Sequence, residues 1–207
     1  MHEHVIPSHD GTMRHRVTLF SGEHYVTNGS IEIATLLGSC VAACLYDETA
    51  RVAGMNHFLL ANYRYALETP VCMTEAGRYG VHAMELLINA LMKRGADRSR
   101  LRAKAFGGGA VLDTVEDAER KRDSFMAVGD VNCRFIIEFL RTERIPLVAS
   151  DLGGLEGRVI HFDTNDHSVY MRRIKRSTTV RVERAEREYW KKSLDEHSGG
   201  TAPVVWT

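Results

Sequence analysis

The chain has 207 residues, 44% hydrophobic and 26% charged, a balance that suits a single folded globular domain and excludes a fibrous or wholly disordered class. Its 27 basic and 27 acidic residues cancel to a formal net charge of zero, so there is no overall field to hold a polyanion, and nucleic acid is not an expected partner. No apolar run is long enough to span a bilayer, and M-H-E-H-V-I-P-S-H-D lacks the apolar core of a signal peptide. The expectation is therefore a cytoplasmic protein without membrane insertion, its four cysteines free thiols.

Taken in order, residues 1–15 place four histidines among polar residues without hydrophobic periodicity and read as a disordered leader. Val17 to Tyr25, broken by Ser21-Gly22, supplies a first strand. Ile31 to Leu37 and Val41 to Tyr46 are two further apolar strands around the bend Gly38-Ser39-Cys40. Cys40 has two readings here: a thiol presented to a cleft at the bend, or a small buried hydrophobe. Val52 to Leu60 is apolar again with His57 inside it. A hairpin centred near Thr49 sets His57 across from about residue 41, near Cys40, and a bulge or the Gly54 kink takes up the difference. His57 alone reads equally as a core histidine satisfied by a carbonyl.

A helix is expected from about Thr74 or Arg78 to Arg94, since Val81, Met84, Leu87, Ile88 and Leu91 recur at helical spacing and Gly95 suits its C-cap. Leu101 to Phe106 reads as a strand leading into Gly107-Gly108-Gly109. No Lys-Ser/Thr follows at phosphate-loop spacing, so these glycines are read as a bend open to the approach of a substrate or partner chain. A second helix starts at Gly129-Asp130, with Asp130 as N-cap, and ends before Pro146. Leu147 to Ser150 reads as a strand, Asp151 to Gly154 as a turn, and Arg158 to Asp163 with Val169 to Ile174 as a closing hairpin. Beyond Lys175 the alternating charges of R-V-E-R-A-E-R-E-Y-W-K-K read as a solvated helix or disordered tail over 176–207. Many strands with two main helices make this an α+β chain with its core over 16–175.

L-G-S-C-V (Leu37 to Val41), G-M-N-H-F-L-L (Gly54 to Leu60), K-A-F-G-G-G-A (Lys104 to Ala110), and D-L-G-G followed by G-R-V (Asp151 to Val159) occur together and in this order. In this set the sequence resembles the CheD family, the chemoreceptor glutamine deamidases of bacterial chemotaxis. The resemblance covers about Val17 to Ile174. It implies a compact α/β sandwich of mixed β-sheet layers, of cysteine-hydrolase type and related to toxin deamidases. It also implies Cys40 as nucleophile, His57 as general base, and backbone N–H groups at Ser39 and Cys40 for the oxyanion. The implied partners are the cytoplasmic helices of methyl-accepting chemoreceptors and a CheC-type phosphatase, with no cofactor and no metal.

The family form T-x-x-L-G-S-C sets its threonine six residues before the cysteine, a place held here by Ala34. Thr35 stands one residue nearer. A one-residue slip turns a strand side chain to the opposite face, so Thr35 serves as third triad member only if a bulge restores it. Two other classes stay open on sequence: a zinc site of Cys40, Cys44 and His57, and a non-catalytic binding module of the same fold.

Overall fold

The computed structural model describes residues 1–7, 13–60, 71–110 and 128–174, and within these it forms two five-stranded sheets and two long helices. One sheet has the order β1-β2-β4-β9-β10, made of His2–Pro7, Met13–Leu19, Glu32–Leu37, Gly157–Asp163 and Val169–Ile174. The other has the order β3-β6-β5-β7-β8, made of His24–Thr27, Val52–Phe58, Val41–Asp47, Arg102–Gly107 and Leu147–Leu152. Both sheets are mixed, through the parallel pairs β2–β4 and β7–β8. The helices are α1, Glu75–Lys93, and α2, Val128–Thr142. No described helix is long and apolar enough to cross a membrane.

Side-chain alternation along the wholly buried strand β5 divides the core in two. Val41, Ala43 and Leu45 point to a cluster with Met84, Leu87, Leu91, Phe135 and Phe139 of the helices. Cys40, Ala42, Cys44 and Tyr46 point to a second cluster with Val17, Leu19, Ile33, Leu37, Ile160 and Phe162 of the other sheet. The layers are therefore sheet, sheet, helices. Each large apolar side chain fully withdrawn from water in these clusters contributes about 1.5–3 kcal/mol before chain entropy is charged against it. The chain passes from one sheet to the other between Leu37 and Val41, so Gly38-Ser39-Cys40 is the crossing between the two sheets.

Most element boundaries agree with the sequence reading. The Thr74 hydroxyl caps α1 by accepting from Gly77 N, and Gly95 follows that helix at φ 102°. Two expectations are corrected. The leader is not disordered over residues 1–7 and 13–15: β1 pairs antiparallel with β2, His2 opposite Thr18 and Pro7 opposite Met13. Backbone pairing along a sheet edge requires no hydrophobic periodicity, which is why the pattern did not reveal it. Asp130 lies in the first turn of α2 and does not cap it, because the helix begins at Val128. The charged tail, the connection from Asp113 to Ala127 and most of the loop from Asn62 to Met73 lie outside the described residues.

Candidate active site

Three elements converge between the sheets: the crossing at Cys40, the end of β6 at His57, and β4 at Thr35. The β5–β6 ladder runs without a bulge from Val41↔Phe58 to Asp47↔Val52 and sets His57 opposite Ala42. The hairpin register expected from sequence, with His57 opposite residue 41, is thus one residue out. The difference decides the geometry, because residue 41 faces the helices whereas Ala42 faces the other sheet. Cys40, two residues from Ala42, lies on the same face as His57. Cys40 stands one residue before the first rung of that ladder, and His57 Nε2 makes no hydrogen bond to its thiol.

Thr35 also faces inward. Strand β4 keeps an unbroken register against both β2 and β9, and its alternation sends Ile33, Thr35 and Leu37 to the inter-sheet layer while Leu36 is exposed. No bulge is needed, and Ala34 is the residue that points the other way. Thr35 Oγ1 lies 2.8 Å from His57 Nδ1 and 2.8 Å from the Leu19 carbonyl oxygen. A hydroxyl has one proton, and the Leu19 carbonyl can only accept it. Nδ1 must then carry the imidazole proton and donate it to Thr35, which leaves Nε2 with a free lone pair.

Nε2 is buried and, among the described residues, has no hydrogen-bond partner. Burial disfavours the imidazolium and pulls the His57 pKa down to about 4, opposed in part by the Leu19 carbonyl and by the Glu23 carboxylate. At neutral pH this is a neutral base with a fixed tautomer. Its backbone is held as firmly: Gly22 N donates to His57 O at 2.7 Å, and His57 N donates to Glu23 O at 2.9 Å. The same β2–β3 turn brings Ser21 Oγ to 3.7 Å from Cys40 Sγ. Cys40 has no exposed surface and His57 is 5% exposed.

The glycine run packs against the cysteine crossing. Gly108 N donates to Cys40 O at 2.7 Å and Gly109 N to Gly38 O at 2.8 Å, so Gly107 to Gly109 wrap the cysteine crossing itself. A Cβ on Gly107 would lie 2.2 Å from Cys40 O, and one on Gly109 2.6 Å from Glu156 O. All three glycines are buried. The close approach that these glycines allow is made by this chain's own backbone. Arg158, almost fully buried, clamps the same corner by donating to Gly107 O and pairing with Asp151.

Sequence reasoning missed Asn132. It lies on α2, fully buried, where Nδ2 donates to Ser39 O at 2.8 Å and Oδ1 accepts from Leu60 N at 2.9 Å. A polar residue on the buried face of an amphipathic helix, among Val131, Phe135 and Ile136, was the available signal.

The zinc reading does not fit. Burial pushes the Cys44 thiol far up, opposed only partly by Lys104. No group of three or more His, Cys, Asp or Glu among the described residues is arranged to hold a metal. Of the other cysteines, burial holds Cys133 up at about 11 and, with Glu138 nearby, raises Cys72.

A family model described as CheD chemotactic sensory transduction matches residues 68–173, a span that begins after Cys40 and His57. The "Probable chemoreceptor glutamine deamidase CheD 1" of Geobacter sulfurreducens is 53% identical over 89% of this chain and 90% of its own length. The "Probable chemoreceptor glutamine deamidase CheD 2" of Shewanella oneidensis is 47% identical over 92% of this chain and 94% of its own. Among solved structures, the hypothetical protein YfiH of Bacillus licheniformis aligns at 14% identity with a TM-score of 0.37, over 62% of this chain and 49% of that one. The two relatives extend across Thr35, Cys40 and His57 as well as the matched domain, and the chain belongs to the CheD family.

Proposed function

We propose that the protein hydrolyses glutamine side chains on the cytoplasmic helices of chemoreceptors to glutamate, with Cys40 as nucleophile, His57 as general base and Thr35 as the residue that orients the imidazole. The observation that carries this reading is the Nε2, unpartnered among the described residues, of a neutral, tautomer-fixed His57 on the same face as Cys40. The names of the relatives, chemoreceptor glutamine deamidases, supply the substrate class.

In the first step the Cys40 thiol gives its proton to His57 Nε2 as the sulfur attacks the glutamine amide carbon. Because burial holds His57 neutral, this transfer accompanies attack and does not precede it as a standing ion pair. Backbone N–H groups at the Ser39–Cys40 crossing are the candidate donors to the oxyanion. The imidazolium then protonates the departing nitrogen, the C–N bond breaks, and ammonia leaves a thioester on Cys40. Water attacks the thioester with His57 again taking the proton. The C–S bond breaks, glutamate is released, and the thiol is restored. The net change is glutamine plus water to glutamate plus ammonia.

The test incubates the protein with a receptor cytoplasmic fragment and follows ammonia release together with the mass change of Gln to Glu. Turnover that disappears in Cys40→Ala is the expected result. Conversion that persists in that variant overturns the mechanism. Free glutamine is expected to be a poor substrate, since orientation has to come from the larger receptor surface.

A further inference from the structure

Extending the β5–β6 register from Val41↔Phe58 by two residues brings Ser39 opposite Leu60, where the ladder's next rung would fall. That rung is made by an inserted side chain. Leu60 N–H donates to Asn132 Oδ1, and Asn132 Nδ2 donates to Ser39 O, so a carboxamide stands where one peptide hydrogen bond would otherwise close the two strands together. Asn132 has no exposed surface, and each half of its amide is matched by a backbone group of opposite character.

The consequence concerns Cys40. The Ser39 carbonyl and the Cys40 N–H belong to one planar peptide, so fixing the direction of the first fixes that of the second and the path of the backbone into the Cys40 Cα. The next carbonyl, that of Cys40, is fixed by Gly108 N, and the preceding one, that of Gly38, by Gly109 N. Of these three anchors at the crossing, Asn132 alone also reaches the strand that carries His57. It ties the chain beside the nucleophile to the chain three residues beyond the base, with helix α2 as the rigid mount.

We propose that Asn132 is a positioning residue for the deamidation, holding the strand ends apart by one amide so that the Cys40 sulfur and His57 Nε2 keep reacting geometry. This rests on the proposed roles of Cys40 and His57. A positioning error on the scale of an ångström costs about a hundredfold in rate, and a misplaced reacting pair that leaves substrate binding intact loses kcat and not KM.

The experiment compares Asn132→Ala and Asn132→Asp with the wild-type protein on a receptor cytoplasmic fragment, each rate normalised to the folded fraction. Asp47→Ala, altered at the far end of β5, is the control for lost stability. The expected result is a kcat lowered about ten- to a hundredfold in Asn132→Ala with KM within about twofold, and an unchanged kcat in Asp47→Ala. Asn132→Asp is nearly isosteric and keeps the acceptor for Leu60 N–H while losing the donor to Ser39. Its kcat relative to wild type should recover as the pH is lowered, when the introduced carboxyl gains a proton to donate. Normalised kcat values for both Asn132 variants no lower than that of Asp47→Ala overturn the proposal, as does a loss carried entirely in KM. Cys40→Ala separates the two levels: if it stays active the catalytic reading itself fails, and if it is inactive while Asn132→Ala retains full kcat only the role of Asn132 fails.

Discussion

At one end of the β5–β6 pair stands Asp47 and at the other His57, both buried, and their surroundings differ in kind. Asp47 Oδ1 accepts from the backbone N–H groups of Thr49 and Ala50, while Oδ2 accepts from Asp97 N at 2.9 Å and from the Arg100 guanidinium at 2.9 Å. Burial alone would raise this carboxyl. The Arg100 guanidinium and the N–H groups of Asp97 and Ala50 outweigh it and hold the pKa at about 2. Among the described residues, His57 has one nitrogen satisfied by Thr35 and the other by nothing. Both are buried polar groups on the same two strands, so burial does not distinguish structure from chemistry here. What does is whether hydrogen-bonding capacity is filled: the filled end locks a turn, and the unfilled end keeps a lone pair available for a proton.

The sharpest way to break this comparison is to exchange the residues' consequences. His57→Gln should lower deamidation by roughly a thousandfold or more while leaving a folded protein, since a general base is removed and the Gln amide retains a donor for Thr35 Oγ1. If turnover in His57→Gln stays within tenfold of wild type, the unfilled nitrogen is not the base.

Next in size is Thr35→Val, which keeps the shape and removes the acceptor that fixes the Nδ1–H tautomer. A fall in kcat of about ten- to a hundredfold is expected, with Thr35→Ser restoring most of it. Equal loss in Val and Ser variants would mean that packing, and not the hydroxyl, matters.

Acid titration of stability then separates the two ends without reference to activity. The folded His57 pKa lies below its unfolded value, so between about pH 6.5 and about pH 4 the unfolded chain takes up a proton that the native protein refuses. Stability falls by as much as ~3 kcal/mol as pH drops through that window. His57→Gln should abolish this loss. The Asp47 contribution, about 2 kcal/mol, is present above the unfolded carboxylate value and disappears only as pH falls from about 4 toward about 2. Urea denaturation at a series of pH values reads both windows, and an unchanged acid slope in His57→Gln would contradict the buried neutral imidazole.

The smallest effect is expected at Cys44, on the same face as Cys40 and wholly buried. Cys44→Ala should cost about 1–2 kcal/mol of stability by thermal unfolding and leave turnover of the folded protein unchanged. A large loss of activity there would give Cys44 a part in the chemistry that its raised pKa denies.

Local pattern carried much of the molecule. The periodicity of Val81, Met84, Leu87, Ile88 and Leu91 with Thr74 and Gly95 at the ends specifies α1, and the apolar runs around Gly38-Ser39-Cys40 specify β4 and β5, because capping, turn and burial preferences act over a few residues. The pairing of the strand after Cys40 with the strand that carries His57 was legible as well, since a short polar turn between two apolar runs makes a hairpin. Its parity was not. Whether His57 lies opposite residue 41 or Ala42 depends on which turn closes the hairpin, with Arg51 at φ 52° in the one formed, and on burial between two sheets. Thr35 shows the same division. Its spacing from Cys40 argued for the wrong face, because counting along the chain assumes that the strand continues, whereas the chain changes sheets at Gly38. Asn132 and the wrapping of Gly107 to Gly109 around the cysteine join segments as many as 93 residues apart. Contacts between such distant segments leave no periodic trace in the sequence, since they form only after both sheets and α2 have packed.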